Sequence, residues 1–95
     1  MKHGNRLLQQ LTTDLEMPGE LLPGQSLVEL AGENRVLIEH HHGVVEYSRC
    51  RIGVGVASGR VLVCGQGLEL ARMTREQLVI TGRIDAIQLV RREKP

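Results

Sequence analysis

The chain has 95 residues, the length of a single domain. Its formal net charge of +1 gives no general attraction to nucleic acid or to an acidic membrane surface. There is no Phe and no Trp, so Val, Leu and Ile must fill the core, and the aromatic platforms on which single-stranded nucleic acids stack are missing. No apolar run approaches the roughly 20 residues of a membrane span, and no signal peptide is recognisable. We therefore expect a soluble, cytoplasmic protein.

An amphipathic helix is predicted over residues 5–16. Asn5 is the candidate N-cap, and Pro18 followed by Gly19 ends the segment. The apolar face of this helix is made by Leu7, Leu8, Leu11 and Leu15. Because a helix this short is marginal alone, we expect it to dock on the rest of the chain, to lie against a partner or to fray.

From residue 27 onward the sequence is typical of β structure. Short runs of Val, Ile and Leu are separated by glycine turns, and apolar side chains alternate with polar or bare positions over residues 49–56. The predicted fold is mainly β: a compact antiparallel sheet, sandwich or roll of short strands with one short N-terminal helix. A weak repeat around Gly65 and Gly82 leaves a short β-solenoid as the alternative. The chain divides into an N-terminal helix with a Pro/Gly connector, a β domain and a charged tail, at residues 1–26, 27–90 and 91–95.

Turns are predicted where glycine and polar residues interrupt the apolar runs. Residues 57–59 are expected to close a hairpin, and residues 74–77 to form a polar loop or a single helical turn. Residues 66–67 and 82–83 are expected to separate further short strands.

Three adjacent histidines, His40, His41 and His42, are the most conspicuous polar feature. An extended chain places His40 and His42 on one side, where they could supply half of a zinc site. Zinc is usually held by three or four protein ligands, and no spacing in the sequence requires other residues to complete this set. The alternative function is therefore a small metal- or ligand-binding β domain that uses His40 and His42.

No set of catalytic residues is evident. The serines lack the strand-to-helix turn that exposes a nucleophile, and Asp14 and Asp85 are isolated from other carboxylates. Cys50 and Cys64 lie in strand-like runs, where a free thiol behaves as a small apolar side chain. We therefore expect a protein that is not an enzyme and that binds no cofactor.

A short motif resembles the YabP/YqfC family of sporulation proteins, and more closely its YqfC branch. In that family the segment resembles I-E-N-H-x-G-[IV], with the usual Asn replaced here by His40. The matching residues are Ile38, Glu39, His41, Gly43 and Val44. Gly65 and Gly82 fall within the family's later strand pattern, so the resemblance extends through the predicted sheet.

The resemblance implies a function that the residue pattern alone does not. Family members are expected to act in the mother cell of a sporulating bacterium and to have no known catalytic residues. A membrane protein resembling YqfD is the implied partner, and it would hold this chain at the periphery of a membrane. The expected function is a structural and interaction module in spore formation.

For the motif itself we expect a structural role. Gly43 would permit a positive φ angle or a bulge, and Glu39 and His41 would bond each other or the nearby backbone. The strand that follows is expected to present an interaction surface made by Val45, Tyr47, Arg49 and Arg51. Pairing of this strand edge with a second copy would give a homo-oligomer.

Overall fold

The structure, a computed structural model, describes residues 24–93. Within them the chain forms six β-strands and no helix. The strands are β1 (Leu27–Ala31), β2 (Arg35–Glu39), β3 (Val44–Tyr47), β4 (Arg51–Val56), β5 (Gly59–Met73) and β6 (Gln77–Arg91). The helix predicted over residues 5–16 lies outside the described residues.

All six strands belong to one sheet, in the order β1-β2-β6-β5-β4-β3, and every neighbouring pair is antiparallel. This confirms the prediction of a mainly β fold built on an antiparallel sheet. It excludes the solenoid alternative, because a β-solenoid stacks its strands in parallel. The hairpin predicted at residues 57–59 is also present, as a two-residue turn between β4 and β5.

The last two strands differ from the predicted short ones. β5 and β6 are each 15 residues long, and both run through the positions where turns were expected, residues 66–67 and 82–83. The pairing of the two strands is interrupted there by register shifts, between Cys64 and Gly65 and between Gln66 and Glu69. Glycines in these positions bend a strand sharply while its neighbours continue to pair, so they mark bulges instead of strand ends.

The bend divides the sheet into two parts that share the β5–β6 hairpin. β2 pairs with residues 77–81 of β6, and β4 pairs with residues 59–64 of β5. We call the part that contains β1 and β2 the β2 half, and the part that contains β3 and β4 the β4 half. Each half is four strands wide, because both long strands run through both halves.

One cluster of aliphatic side chains fills the inner face of both halves. Its members are at most 5% exposed: Val36, Ile38, Ile52, Val54, Val56, Val61, Val63, Leu68, Leu78 and Ile80. Leu68 lies at the bend itself, where it is fully buried. Because β2 and β4 are separated by two strands in the sheet, a shared core requires the sheet to curl over its own inner face.

Candidate functional site

The motif recognised in the sequence forms the end of β2 and the connector to β3. Ile38 is fully buried in the core on β2, and Val44, the first residue of β3, packs against the same cluster. The four residues between the two strands, residues 40–43, are called the histidine connector below. Its backbone is irregular, because it must carry the chain from the β2 half of the sheet to the β4 half.

His41 is the one buried polar residue among residues 24–93, with 9% of its surface exposed. Its Nδ1 accepts a hydrogen bond from the Gly43 N–H at 3.0 Å, and its Nε2 lies 2.8 Å from the Thr74 carbonyl oxygen. A carbonyl can only accept, so Nε2 must carry the proton and donate. The imidazole is therefore neutral, and it ties the histidine connector to the loop between β5 and β6.

The loop that receives His41 is shaped by Thr74. Its hydroxyl oxygen accepts hydrogen bonds from the N–H groups of Glu76 and Gln77, at 3.3 and 2.9 Å. This is the bonding of a helix N-cap, although no helix follows here. The polar loop predicted over residues 74–77 is present at residues 74–76, with Gln77 already the first residue of β6. Its carbonyls face the histidine connector: the His40 N–H donates to the Glu76 carbonyl at 2.7 Å.

The two flanking histidines are exposed. His40 has a φ angle of 59°, in the left-handed region that non-glycine residues rarely occupy, although Asn, Asp and His are enriched there. A short polar side chain such as that of His40 tolerates this conformation better than a branched apolar one. His42 holds the connector to β4 through its N–H, which donates to the Gly55 carbonyl at 2.8 Å.

Gly43 has a φ angle of 103°, as the sequence led us to expect. A Cβ atom at this position would meet no heavy atom within 4 Å, so the need for glycine is conformational and not steric. The bulge lies two residues further on, at Val45 in β3, where the register with β4 shifts. Glu39 makes no side-chain hydrogen bond or ion pair in the described part of the chain. We expected His41 to bond either Glu39 or the nearby backbone, and in the structure it bonds the backbone.

Gly65 and Gly82 lie at the bend of the long hairpin. A Cβ on Gly65 would overlap the Arg83 carbonyl oxygen, and a Cβ on Gly82 would lie 2.6 Å from the Gly67 carbonyl oxygen. The Gly65 N–H also donates to the Cys50 carbonyl at 3.0 Å, which joins the turn after β3 to the bend. These glycines allow β5 and β6 to approach each other closely where the sheet folds.

The predicted interaction residues lie on and beside β3, one of the two edge strands of the sheet. Val45 and Tyr47 are 59% and 53% exposed. Arg49 is exposed in the turn after β3, and Arg51 forms an exposed ion pair with Glu46 at 3.3 Å. Such a surface pair adds at most about 1 kcal/mol to stability.

The bulge changes how this edge presents its side chains. Tyr47 pairs with Ile52, whose side chain is on the inner face, whereas Val45 lies over Gly53 on the outer face, 3.3 Å from the position of a Cβ there. In a regular strand two residues that are two positions apart share a face. Here they point to opposite faces, so the feature they share is the free edge of β3 itself.

The sequence suggested a metal site at His40 and His42, but the described residues provide no further ligands to complete it. No group of three or more His, Cys, Asp or Glu side chains is placed there to hold an ion. Cys50 and Cys64 are free thiols, and among the described residues they belong to no such group. Sequence reasoning missed the Thr74 carbonyl as the partner of His41, because the two residues are 33 positions apart and no motif links them.

These features define a small antiparallel β domain whose single sheet bends at a shared hairpin and whose free edges carry exposed apolar side chains. The chain belongs to the YabP family, whose sequence profile matches residues 23–95. This confirms the family predicted from the motif. The chain is also similar to the uncharacterized protein YqfC of Bacillus subtilis (strain 168), with 23% identity over 86 residues that cover 90% of this chain and 92% of that relative. No solved structure matches the chain.

Proposed function

We propose that this protein is a non-enzymatic interaction module that acts in the mother cell during spore formation and binds its partner through the edge of β3. The observation that carries the proposal is an edge strand with two exposed apolar side chains, Val45 and Tyr47, pointing to opposite faces. An unpaired strand edge can accept a strand from another chain, with backbone hydrogen bonds supplying affinity and flanking side chains supplying specificity.

The chemistry of the motif supports a structural role for it. Both ring nitrogens of His41 are occupied by backbone groups, so the imidazole is not free to act as a base or as a metal ligand. The bonds of His41 fix the connector that leads into β3, and they therefore set where the free edge lies. A metal-binding role for His40 and His42 has no supporting observation in the described residues.

The proposed partner is a membrane protein resembling YqfD, as the family resemblance implies. No helix that could cross a bilayer occurs in residues 24–93. The chain would reach the membrane surface through this partner, with Arg49 and Arg51 beside the interacting edge. Pairing of the same edge between two copies would give a homo-oligomer, and the two kinds of pairing would compete for β3.

The test compares two edge variants in sporulating cells. Tyr47→Asp places a charge at the β3 edge, whereas Leu30→Asp places one on β1, the opposite edge, at a residue of similar exposure (50%). Affinity purification of tagged wild-type protein, with partners identified by mass spectrometry, should recover the YqfD-like membrane protein. Tyr47→Asp should lose it and Leu30→Asp should retain it.

Two results would contradict the proposal. One is equal recovery of the membrane protein with both variants, which would place the interface elsewhere. The other is turnover of a small molecule by the purified protein that is lost in His41→Ala although the fold is retained, because this would make the motif catalytic. Circular dichroism of each variant is the control for folding.

A further inference from the structure

An open groove of about 780 Å³ lies between β1 and the C-terminal part of β6. Apolar side chains from four strands line it: Val28, Val56, Val61, Ile87 and Leu89. None of the lining residues belongs to β3, so the groove is separate from the edge proposed to bind a partner.

The groove is a continuation of the core. Ile87 and Leu89 pair with Val63 and Val61, and residues directly opposite in a sheet share a face. Val61 and Val63 are buried, yet Leu89 on the same inner face is 47% exposed. At this end of the sheet, the inner face is therefore not covered by other described residues, and it leaves an apolar surface exposed to water.

The first described residues of the chain form one wall of this groove. Gly24 and Ser26 line it, immediately before β1 begins at Leu27. Ser26 is held by its hydroxyl, which donates to the His40 carbonyl at 2.8 Å. The described chain therefore begins at the groove itself, and the sequence just before it contains the Pro-Gly pairs 18–19 and 23–24, which favour turns.

We propose that residues 5–16 dock in this groove as an amphipathic helix. Four leucines share the apolar face predicted for that helix: Leu7, Leu8, Leu11 and Leu15. A 12-residue helix is about 18 Å long, and seven connector residues can span about 23 Å, so the reach is sufficient. The docked leucines cover Leu89 and Val28, which completes the core and removes the groove as a site of unspecific association.

The experiment observes the docked leucines directly in the full-length protein. With labelled methyl groups, NMR should show nuclear Overhauser effects between Leu11 or Leu15 and Ile87 or Leu89. The variant Leu11→Ala/Leu15→Ala should lose these contacts and lower the Tm by about 5 °C. The matched control is Gln9→Ala/Thr13→Ala, which changes the opposite face of the same helix to the same residue and should leave the contacts and the Tm unchanged.

Three outcomes would overturn the proposal. The first is an absence of nuclear Overhauser effects between the helix leucines and the groove residues in the wild-type protein. The second is nuclear Overhauser effects that appear only between differently labelled molecules in a mixed sample, which would mean that a second copy fills the groove. The third is an equal decrease in Tm in the leucine variant and its control. Loss of membrane-partner capture in Tyr47→Asp tests the β3 edge separately, so the two proposals can fail independently.

Discussion

At the scale of single residues, the three histidines have three different roles. His41 is buried with both ring nitrogens bonded, His40 occupies a left-handed backbone conformation, and His42 contributes its backbone N–H to Gly55. The sequence shows a run of three identical side chains, and a metal site is the natural hypothesis for it. The structure separates them, because only the middle imidazole turns inward toward the loop after β5.

His41→Ala should lower the free energy of unfolding by about 1–3 kcal/mol, because the Thr74 carbonyl and the Gly43 N–H lose their partner in a partly buried place. His42→Ala should change it by less than about 0.5 kcal/mol, since that side chain is exposed. Urea denaturation of both variants measures the difference. Nitrogen-15 NMR should also show His41 with its proton on Nε2. Equal losses in the two variants would refute this role of His41.

At the scale of the elements, the long β5–β6 hairpin depends on backbone contacts that only glycine permits. Gly65 lies so close to the Arg83 carbonyl that no side chain fits between them, whereas Gly67 has a φ angle of 60° but free space around it. The two positions are two residues apart and require glycine for different reasons, one steric and one conformational.

Gly65→Ala should therefore destabilise the protein by about 2–4 kcal/mol, because the two strands must separate at the bend. Gly67→Ala should cost only about 1 kcal/mol, the strain of a left-handed residue in open space. The midpoints of urea unfolding report both values. If the two substitutions cost the same, the close approach of β5 and β6 is not needed for the bend.

At the scale of the whole molecule, the two halves of the sheet should unfold together. Both long strands run through both halves, and one core cluster contains residues of each. A defect in either half therefore weakens the packing of the other. Such coupling is the expected behaviour of a single domain of this size.

Ile38→Val in the β2 half and Ile52→Val in the β4 half should each cost about 0.5–1.5 kcal/mol. Tyr47 is the single aromatic residue and lies in the β4 half, so its fluorescence reports that half, whereas far-UV circular dichroism reports the whole sheet. Both signals should shift to the same midpoint in both variants. If Ile38→Val shifts the circular dichroism signal and not the Tyr47 fluorescence, the halves unfold separately.

Much of this molecule could be predicted from local pattern. The alternation over residues 49–56 identified β4, because side chains of a strand alternate between its faces whatever the strand pairs with. The turn at residues 57–59 and the polar loop at residues 74–77 were likewise predicted from residue types with local conformational preferences. The family motif placed Gly43 at a position where the chain needs a positive φ.

The tertiary structure alone decided the bend, the faces of the β3 edge, the partner of His41 and the groove. Gly67 and Gly82 suggest turns when only their neighbours in sequence are considered, but they lie within a bend because β5 and β6 pair with each other on both sides of them. Regular alternation would place Val45 and Tyr47 on the same face of β3, but the bulge at Val45 puts them on opposite faces. His41 and Thr74 meet because the sheet brings the two loops together. Secondary structure follows from contacts between near neighbours, whereas these features depend on contacts that form only when the whole sheet folds.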